Sequence, residues 1–206
     1  ESAIRIRHLL TMTSGLTDKG TFQAPAGRRW KYNTPVYSKL MDVLVAAANM
    51  DRNAITKDWL TEPLGMSDSA WVERQSATAS SVNKYGFATT ARDLAKFGLM
   101  MLANGRWGDQ EILSDQQYLR DATTSSQKLN PFYGYLWWLN RNAFKPQGPR
   151  RVQAAPRDMF SANGAGNRRC WVVPSLDLVV TRLGAPPTDG KDFDGEFWKR
   201  LMAARR

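Results

Sequence analysis

The sequence has almost none of the residues that most often build disulfides and metal sites. Cys170 is the only cysteine, so an intrachain disulfide is impossible and a zinc site built on thiolates is excluded. His8 is the only histidine, so a two-histidine metal site cannot form and a Ser-His-Asp triad could use only His8. Because His8 stands at the start of an apolar helical pattern, we expect it to cap or pack. The sequence predicts no metal and no cofactor.

Long hydrophobic runs are also missing. No apolar run approaches the ~20 residues that span a bilayer, and the first residues, from Glu1, show no signal-peptide pattern from which a compartment could be read. The chain has 206 residues, of which 42% are hydrophobic and 23% charged. This length and composition are typical of a globular protein with a real core.

Acidic residues are scarce relative to basic ones. Lys and Arg number 29 against 19 Asp and Glu, which gives a net charge of +10. Nucleic-acid binders usually concentrate such charge on one element, whereas the basic pairs here are spread along the chain, at residues 28–29, 150–151, 168–169 and 205–206. The spread favours a solvated basic surface and no nucleic-acid partner. A polyanion-binding protein stays as an alternative.

The hydrophobic periodicity predicts helices first and strands afterwards. Helical spacing and caps predict helices at residues 4–14, 35–49, 53–62, 90–103, 114–121 and 193–204. Short aromatic or β-branched runs predict strands at residues 133–139, 158–163, 168–173 and 177–183, with a loop at 141–157. This segregation indicates an α+β fold. It consists of a mainly helical region, 1–132, and an antiparallel meander with a C-terminal helix, 133–206, which together form part of one domain.

The predicted sheet has about four strands and a single helix to cover it. One face would then remain apolar and open. We expect a partner for it, for example strands that precede Glu1.

Five stretches carry a family resemblance, and they occur in the family's order. They are IRHLLTMTSGL at 6–16, PAGRRWKYNT at 25–34, TTARDLAKFG at 89–98, YGYLWW at 133–138, and NGAG at 163–166 with VVPSLDLVV at 172–180. The chain resembles the serine β-lactamase and penicillin-binding-protein superfamily, which groups class C β-lactamases, DD-peptidases and related esterases. The resemblance implies a β-lactamase-like fold and acyl transfer through a serine. A periplasmic or secreted location is compatible with this resemblance.

Tyr32 matches the family's catalytic tyrosine. A phenol is a poor base at its ordinary pKa near 10, so this role requires a neighbouring positive charge that lowers the pKa. The family's lysine would provide that charge. Thr34 stands where the family usually has the asparagine that binds the acyl side chain of the substrate. A helix cap before Pro35 is an equally good interpretation of Thr34.

Residues 162–164 align with the family's K-T-G motif, with Asn163 and Gly164 at its second and third positions. Ala162 replaces the usual lysine or histidine, so the anchor for a substrate carboxylate is absent and a neutral ester or amide is favoured. The backbone N–H of Ala165 is implied as one oxyanion donor. A glycine-rich hairpin turn is the alternative interpretation.

The S-x-x-K segment with the nucleophile is not evident. Residues 125–128 (SSQK) fit the pattern literally, but they lie in a polar stretch before Pro131, so we interpret Ser125 as a loop residue. Ser14 is interpreted as a helix-end residue. The resemblance places S-x-x-K before the T-S-G-L segment, so we expect the partner of this chain to be an N-terminal segment that carries it, and the chain alone to be inactive.

The leading hypothesis is therefore a serine hydrolase acting on an ester, an amide or a β-lactam. Under this hypothesis, we expect Tyr32 and residues 162–166 to face one cleft. The alternative is a non-catalytic binding module derived from the same fold.

Overall fold

The computed structural model describes residues 3–74, 84–187 and 192–205; Arg206, from the last basic pair, lies outside them. The chain divides into two compact units, Glu1–Asp93 and Leu94–Arg206. The boundary lies inside a helix, whereas the secondary-structure pattern changes near residues 132 and 133. The predicted division into 1–132 and 133–206 stays a prediction.

Of the helices predicted in the first unit, those at 4–14 and 35–49 are shortened or divided, whereas the one at 53–62 is confirmed over residues 52–61. The observed helices are α1 (Ile6–Leu10), α2 (Thr34–Tyr37), α3 (Lys39–Ala48) and α4 (Arg52–Thr56), and α4 continues as a π-helical turn, Lys57–Thr61. Helix α1 ends early because Met12 adopts a positive φ of 61°. The predicted helix 35–49 is divided at Ser38, whose hydroxyl donates to the carbonyl of Pro35 at 3.0 Å.

A β-hairpin in the first unit was not predicted. Strands β1 (Ala70–Glu73) and β2 (Tyr85–Ala88) pair antiparallel with Ala70 opposite Ala88. The side chain of Asn53 fastens the hairpin to α4, because it accepts from the Trp71 N–H at 2.8 Å and donates to the Trp71 carbonyl at 3.0 Å. Four-residue strands with little burial leave no alternating pattern in the sequence.

The second unit contains most of the elements that the sequence predicts. Helix α5 (Ala91–Leu102) crosses the boundary between the units, and α6 (Gln116–Ala122) and α7 (Phe193–Ala204) follow. The short strands β3 (Arg106–Trp107) and β4 (Gln110–Glu111) form a second hairpin that was not predicted. Asp115 caps α6 by accepting from the Tyr118 N–H at 2.9 Å.

One antiparallel sheet forms the centre of the second unit. Its order is β5-β6-β7-β8, with β5 at Trp138–Leu139, β6 at Phe160–Gly164, β7 at Arg168–Val173 and β8 at Leu178–Arg182. The predicted strand 133–139 shrinks to its last two residues because Leu136 has a positive φ of 61° and the Tyr135 N–H donates to the Ala122 carbonyl instead.

Helices cover both faces of this sheet. On one face Trp171 and Val173 form a core with Trp198 of α7. On the other face α5 approaches so closely that a Cβ at Gly98 would lie 2.6 Å from Val179 and 2.9 Å from the sulfur of Cys170. The expectation of a single covering helix was therefore wrong. The periodicity of α5 was evident in the sequence, but its position on the sheet was not.

Candidate active site

Tyr32 lies on a loop that is fixed to the T-S-G-L segment by backbone hydrogen bonds. The N–H of Lys31 donates to the Met12 carbonyl at 2.9 Å, and the N–H of Gly27 donates to the Thr13 carbonyl at 2.8 Å. On the other side of Tyr32, the Asn33 amide donates to the Leu16 carbonyl at 2.9 Å. The two motifs, which residues 17–24 separate in the sequence, thus form one structural piece.

Gly15 makes this docking possible. Its carbonyl accepts from the N–H groups of both Gln23 and Ala24, at 2.9 and 3.0 Å. Its φ is +75°, and a Cβ would stand 2.0 Å from the Ala24 carbonyl oxygen. A side chain is excluded by both the conformation and the close contact. The glycine of the T-S-G-L motif is therefore required by the geometry of the tyrosine loop.

Tyr32 itself is 41% exposed. Its ring meets that of Tyr37 edge-on, with centroids 6.0 Å apart. Partial burial, followed by the charge and hydrogen bonding of Tyr37, raises the pKa of Tyr32 above the ordinary value for a phenol. A neutral phenol can donate a proton but cannot accept one as a base. A base role for Tyr32 consequently requires a neighbouring cation that lowers its pKa.

Thr34 is the first residue of α2, and Asn33 is its cap. The Asn33 side chain accepts from the Val36 N–H at 3.3 Å, which is the usual role of an N-cap residue. The interpretation of Thr34 as the cap before Pro35 was therefore wrong by one residue. A substrate-binding role for the half-buried Thr34 stays a prediction.

His8 and Ser14 both have structural partners. His8 Nδ1 accepts from the Arg5 N–H at 3.1 Å at the N-terminus of α1, which confirms the predicted capping role. Burial, then Arg5 and Arg7, lowers the pKa of His8. The buried Ser14 hydroxyl accepts from the Leu16 N–H at 3.3 Å. Its interpretation as a helix-end residue was wrong, because α1 already ends at Leu10.

The K-T-G-like residues lie on β6 and the turn that follows it. Asn163 pairs with Arg169 and Gly164 with Arg168 across β7. On the other side, β5 pairs only with Phe160 and Ser161. From Ala162 to Gly164 the outer edge of β6 has no strand partner in the described part of the chain. Ala165 follows directly at the end of this open edge.

Strand alternation assigns the side chains of this segment to different faces. Ala162 pairs with Cys170 and so shares the α5 face, whereas Asn163 pairs with Arg169 and shares the face of Trp171 and α7. The Asn163 Oδ1 atom is buried and has no hydrogen-bond donor among the described residues. The side chains of Ala162 and Asn163 therefore lie on opposite faces of the sheet. Only the backbone of the segment lies along the open edge.

Three arginines surround the turn after β6, which the sequence did not predict. Arg168 donates to the Ala165 carbonyl at 2.8 Å, Arg182 to the Asn167 carbonyl at 2.9 Å, and Arg169 to the Asn167 side chain at 3.2 Å. Arg169 also pairs with Asp194 at 3.1 Å, with both side chains almost buried. The pair at 168–169 is visible in the sequence, but Arg182 reaches the turn only through the β7–β8 pairing.

The literal S-x-x-K match does not have the geometry of a nucleophile. The Ser125 hydroxyl donates to the Pro131 carbonyl at 2.6 Å and accepts from the Ala143 N–H at 2.9 Å. It therefore bridges two loop segments. The ammonium of Lys128 lies 5.8 Å from the centre of the Phe144 ring. These contacts agree with the interpretation of Ser125 as a loop residue.

Two further properties bear on the class of site. In residues 3–74, 84–187 and 192–205 there is no group of three or more His, Cys, Asp or Glu side chains that could hold a metal ion. Within the same ranges, no helix combines the length and the apolarity that a bilayer crossing needs.

The α+β fold, with Tyr32 fixed on the T-S-G-L segment and a sheet edge ending in N-G-A, defines a β-lactamase-like protein. The sequence profile of the family described as Beta-lactamase matches residues 1–203, and the chain belongs to this family.

Solved structures with the same fold agree with this assignment. A β-lactamase from Mycobacterium bovis is 21% identical, with a TM-score of 0.70 over 97% of this chain and 72% of its own. A penicillin-binding-protein homologue from Caulobacter crescentus is 13% identical, with a TM-score of 0.69 over 98% and 71%. A β-lactamase/D-alanine carboxypeptidase from Yersinia pestis, complexed with citrate, is 16% identical, with a TM-score of 0.68 over 98% and 69%. At these identities the likeness concerns the fold.

Proposed function

We propose that this chain is part of a serine hydrolase that cleaves an ester, an amide or a β-lactam through a serine-bound acyl-enzyme. The observation that carries the proposal is the open edge of β6 beyond Ser161, which ends at Ala165. A backbone N–H at such an edge is a preorganised donor for the oxyanion of a tetrahedral intermediate, and one donor of this kind contributes about 3–4 kcal/mol in the transition state.

Tyr32 is the proposed proton-handling group. Its loop is fixed at both ends, through Lys31 and Asn33, so the phenol is held in place before a substrate binds. A lysine next to the nucleophilic serine would lower the pKa of Tyr32, against the effect of burial and of Tyr37. Tyr32 would then take the serine proton and later return a proton to the leaving group.

The nucleophile is proposed to lie in a segment outside residues 1–206. The two serines that the sequence offers have other partners, because Ser14 binds the Leu16 N–H and Ser125 bridges Pro131 and Ala143. The solved structures that match this chain extend beyond it by a little more than a quarter of their length. That additional part has room for an S-x-x-K helix and for further strands.

The proposed substrate is neutral at the position where many relatives bind a carboxylate. Ala162 offers no cation there, and its side chain shares the α5 face of β6. The nearby guanidinium groups of Arg168 and Arg182 are already bound to turn carbonyls. The backbone of Asn163 and Gly164 would then contact the acyl part of the substrate. Thr34, at the start of α2, stays a proposed substrate-binding residue.

A comparison of two proteins tests this function. The 206-residue chain and the full product of the gene that encodes it are assayed with a neutral p-nitrophenyl ester. We expect hydrolysis by the full product and none above buffer by the chain. Hydrolysis by neither protein, together with retained binding of a fluorescent penicillin, would instead favour the non-catalytic binding module.

A further inference from the structure

The loop between β5 and β6 borders a cavity in the second unit. The cavity measures about 570 Å³, within the range of about 300–1,000 Å³ that is usual for small-molecule sites. The two ends of this loop and the turn between β7 and β8 form its walls. The lining residues are Arg141, Asn142, Ala143, Pro146, residues 156–158 and Ser175.

Hydrogen bonds hold the walls of the cavity in place. The amide of the buried Asn140 donates to the Pro156 carbonyl at 2.8 Å. Arg157 Nη1 donates to the carbonyls of Pro146 and Gly148, at 3.1 and 2.8 Å, and so ties the two ends of the loop together. The cavity is therefore formed before a ligand arrives, which lowers the cost of binding one.

The acidic residue of the lining is engaged in the wall itself. One oxygen of Asp158 accepts from the Ser175 N–H at 2.5 Å, and the other accepts from the Ser175 hydroxyl at 2.8 Å. These two bonds connect the residue before β6 to the turn after β7. Because both carboxylate oxygens are directed at Ser175, Asp158 serves the wall and does not offer a site for a cation.

The basic residues of the lining, in contrast, have donors to spare. Arg141 is exposed and makes no hydrogen bond or ion pair with any residue that the structure describes. Arg157 binds the described chain through Nη1 alone, so Nη2 and Nε remain as donors. The Asn142 side chain accepts from the Phe144 N–H at 2.9 Å, and its own amide N–H groups have no acceptor among the described residues. The cavity thus has an excess of donors and of positive charge.

The remaining walls are apolar and select for more than charge. Ala143, Pro146 and Pro156 contribute side chains that neither donate nor accept hydrogen bonds. A guanidinium group binds a carboxylate through two parallel N–H···O bonds, while the apolar walls favour a hydrocarbon body. An inorganic anion would leave these walls uncovered, and a neutral apolar compound would leave the guanidinium groups unpaired.

We propose that this cavity binds a small carboxylic acid with an aromatic or aliphatic body. Its carboxylate would lie on Arg141 and Arg157, and its body on Ala143 and the two prolines. The cavity is distinct from the proposed chemistry, because Asp158 and Ala165 stand on either side of β6, roughly 20 Å apart at the rise of an extended strand. Binding here needs neither a nucleophile nor Tyr32, so its test is independent of hydrolysis.

Four probes test the charge and the apolar walls separately. Phenylacetate carries a carboxylate and a ring, phenylacetamide only the ring, acetate only the carboxylate, and inorganic phosphate is an anion without an apolar body. Each is titrated into the isotope-labelled 206-residue chain, and the amide chemical shifts give the dissociation constant. Shifts at Ala143, Arg157 and Ser175 locate the site.

We expect phenylacetate to bind at these amides with a dissociation constant of about 1 mM. The other three probes should bind at least about tenfold more weakly, since each lacks either the charge-assisted hydrogen bonds or the apolar contact. Acetate or phosphate binding as tightly as phenylacetate would overturn the proposal in favour of a simple anion site. Equal binding of phenylacetamide would overturn it in favour of a neutral ligand, and so would the absence of a saturable shift at the cavity.

The variant Arg141→Gln tests the carboxylate anchor. It should weaken phenylacetate binding at least about tenfold, as expected for the loss of a charge-assisted hydrogen bond, with the thermal midpoint almost unchanged. Arg205→Gln is the matched control, because Arg205 is exposed at the end of α7, outside the cavity, and the change in charge is the same. The control should bind like the parent. An Arg141→Gln variant that binds phenylacetate as tightly as the control would contradict the proposal.

Discussion

Tyr32 is the residue on which the proposed chemistry depends most. Replacement by phenylalanine keeps the ring and its edge contact with Tyr37, but removes the hydroxyl. In the full gene product we expect Tyr32→Phe to lower turnover of a neutral ester by about 10²–10⁴, the usual contribution of a positioned acid–base group, with the thermal midpoint almost unchanged. The matched control is Tyr118→Phe, on α6, which should retain activity. Near-normal turnover of Tyr32→Phe would remove Tyr32 from the mechanism.

The ionisation of Tyr32 gives a second test at the residue scale. Burial and Tyr37 raise the pKa of Tyr32 in this chain. Because the pKa of Tyr32 is raised in the folded state, its contribution to the stability of the fold is complete below its unfolded pKa, near 10. This contribution is lost as the pH rises through the folded pKa. The 206-residue chain should therefore lose stability above about pH 10, and Tyr32→Phe should lose less. Denaturant titrations at a series of alkaline pH values measure this, and a Tyr32→Phe variant with the same alkaline loss would contradict the assignment.

Ala162 is the residue that we propose to determine the substrate preference. Since no cation occupies this position, Ala162→Lys in the full gene product should favour a carboxylate-bearing β-lactam over a neutral ester. We expect the ratio of the two kcat/KM values to shift by about tenfold or more, in line with ~1.4 kcal/mol or more for a charge-assisted hydrogen bond. An unchanged ratio would mean that the carboxylate is not bound at this position.

Among the elements, α5 packs closely on the sheet at Gly98. A methyl group at Gly98 would meet Val179 and Cys170 below normal contact distance. Gly98→Ala gains up to about 1 kcal/mol of helix propensity, but overpacking costs about 1–3 kcal/mol, typically about 2 kcal/mol, so we expect a net loss of about 1 kcal/mol in urea denaturation. Gly184→Ala, which meets only the Arg182 guanidinium at ordinary distance, should change stability by less than about 0.5 kcal/mol. A Gly98→Ala variant as stable as the parent would contradict this packing.

The elements also show what the sequence can and cannot predict. Helix α7 and strands β6 to β8 were predicted within a few residues, because their periodicity is strong and local. The hairpin β1–β2 was missed, since its strands are short and mostly exposed. The covering of the sheet by α5 was missed too, because the pairing of a helix with a distant face leaves no local signal. The Tyr32 loop was located by resemblance, whereas its attachment through Gly15 and Asn33 required coordinates.

For the molecule as a whole, the proposed chemistry is divided between two parts of one polypeptide. The described residues supply a tyrosine on a hydrogen-bonded loop and an open sheet edge. The net charge of +10 is largely carried by a dispersed set of arginines, several of which bind turn carbonyls or pair with acidic side chains. This dispersion agrees with a structural use of the charge and gives no support to a polyanion-binding function.

The central claim is that the nucleophile lies outside residues 1–206. The most direct measurement is covalent labelling of the full gene product with a fluorophosphonate, followed by mass spectrometric mapping of the modified peptide. We expect one label per molecule, on a serine outside residues 1–206 that is followed three residues later by a lysine, and no label on the 206-residue chain alone. A stoichiometric label on Ser125, or on any other serine within residues 1–206, would contradict the claim.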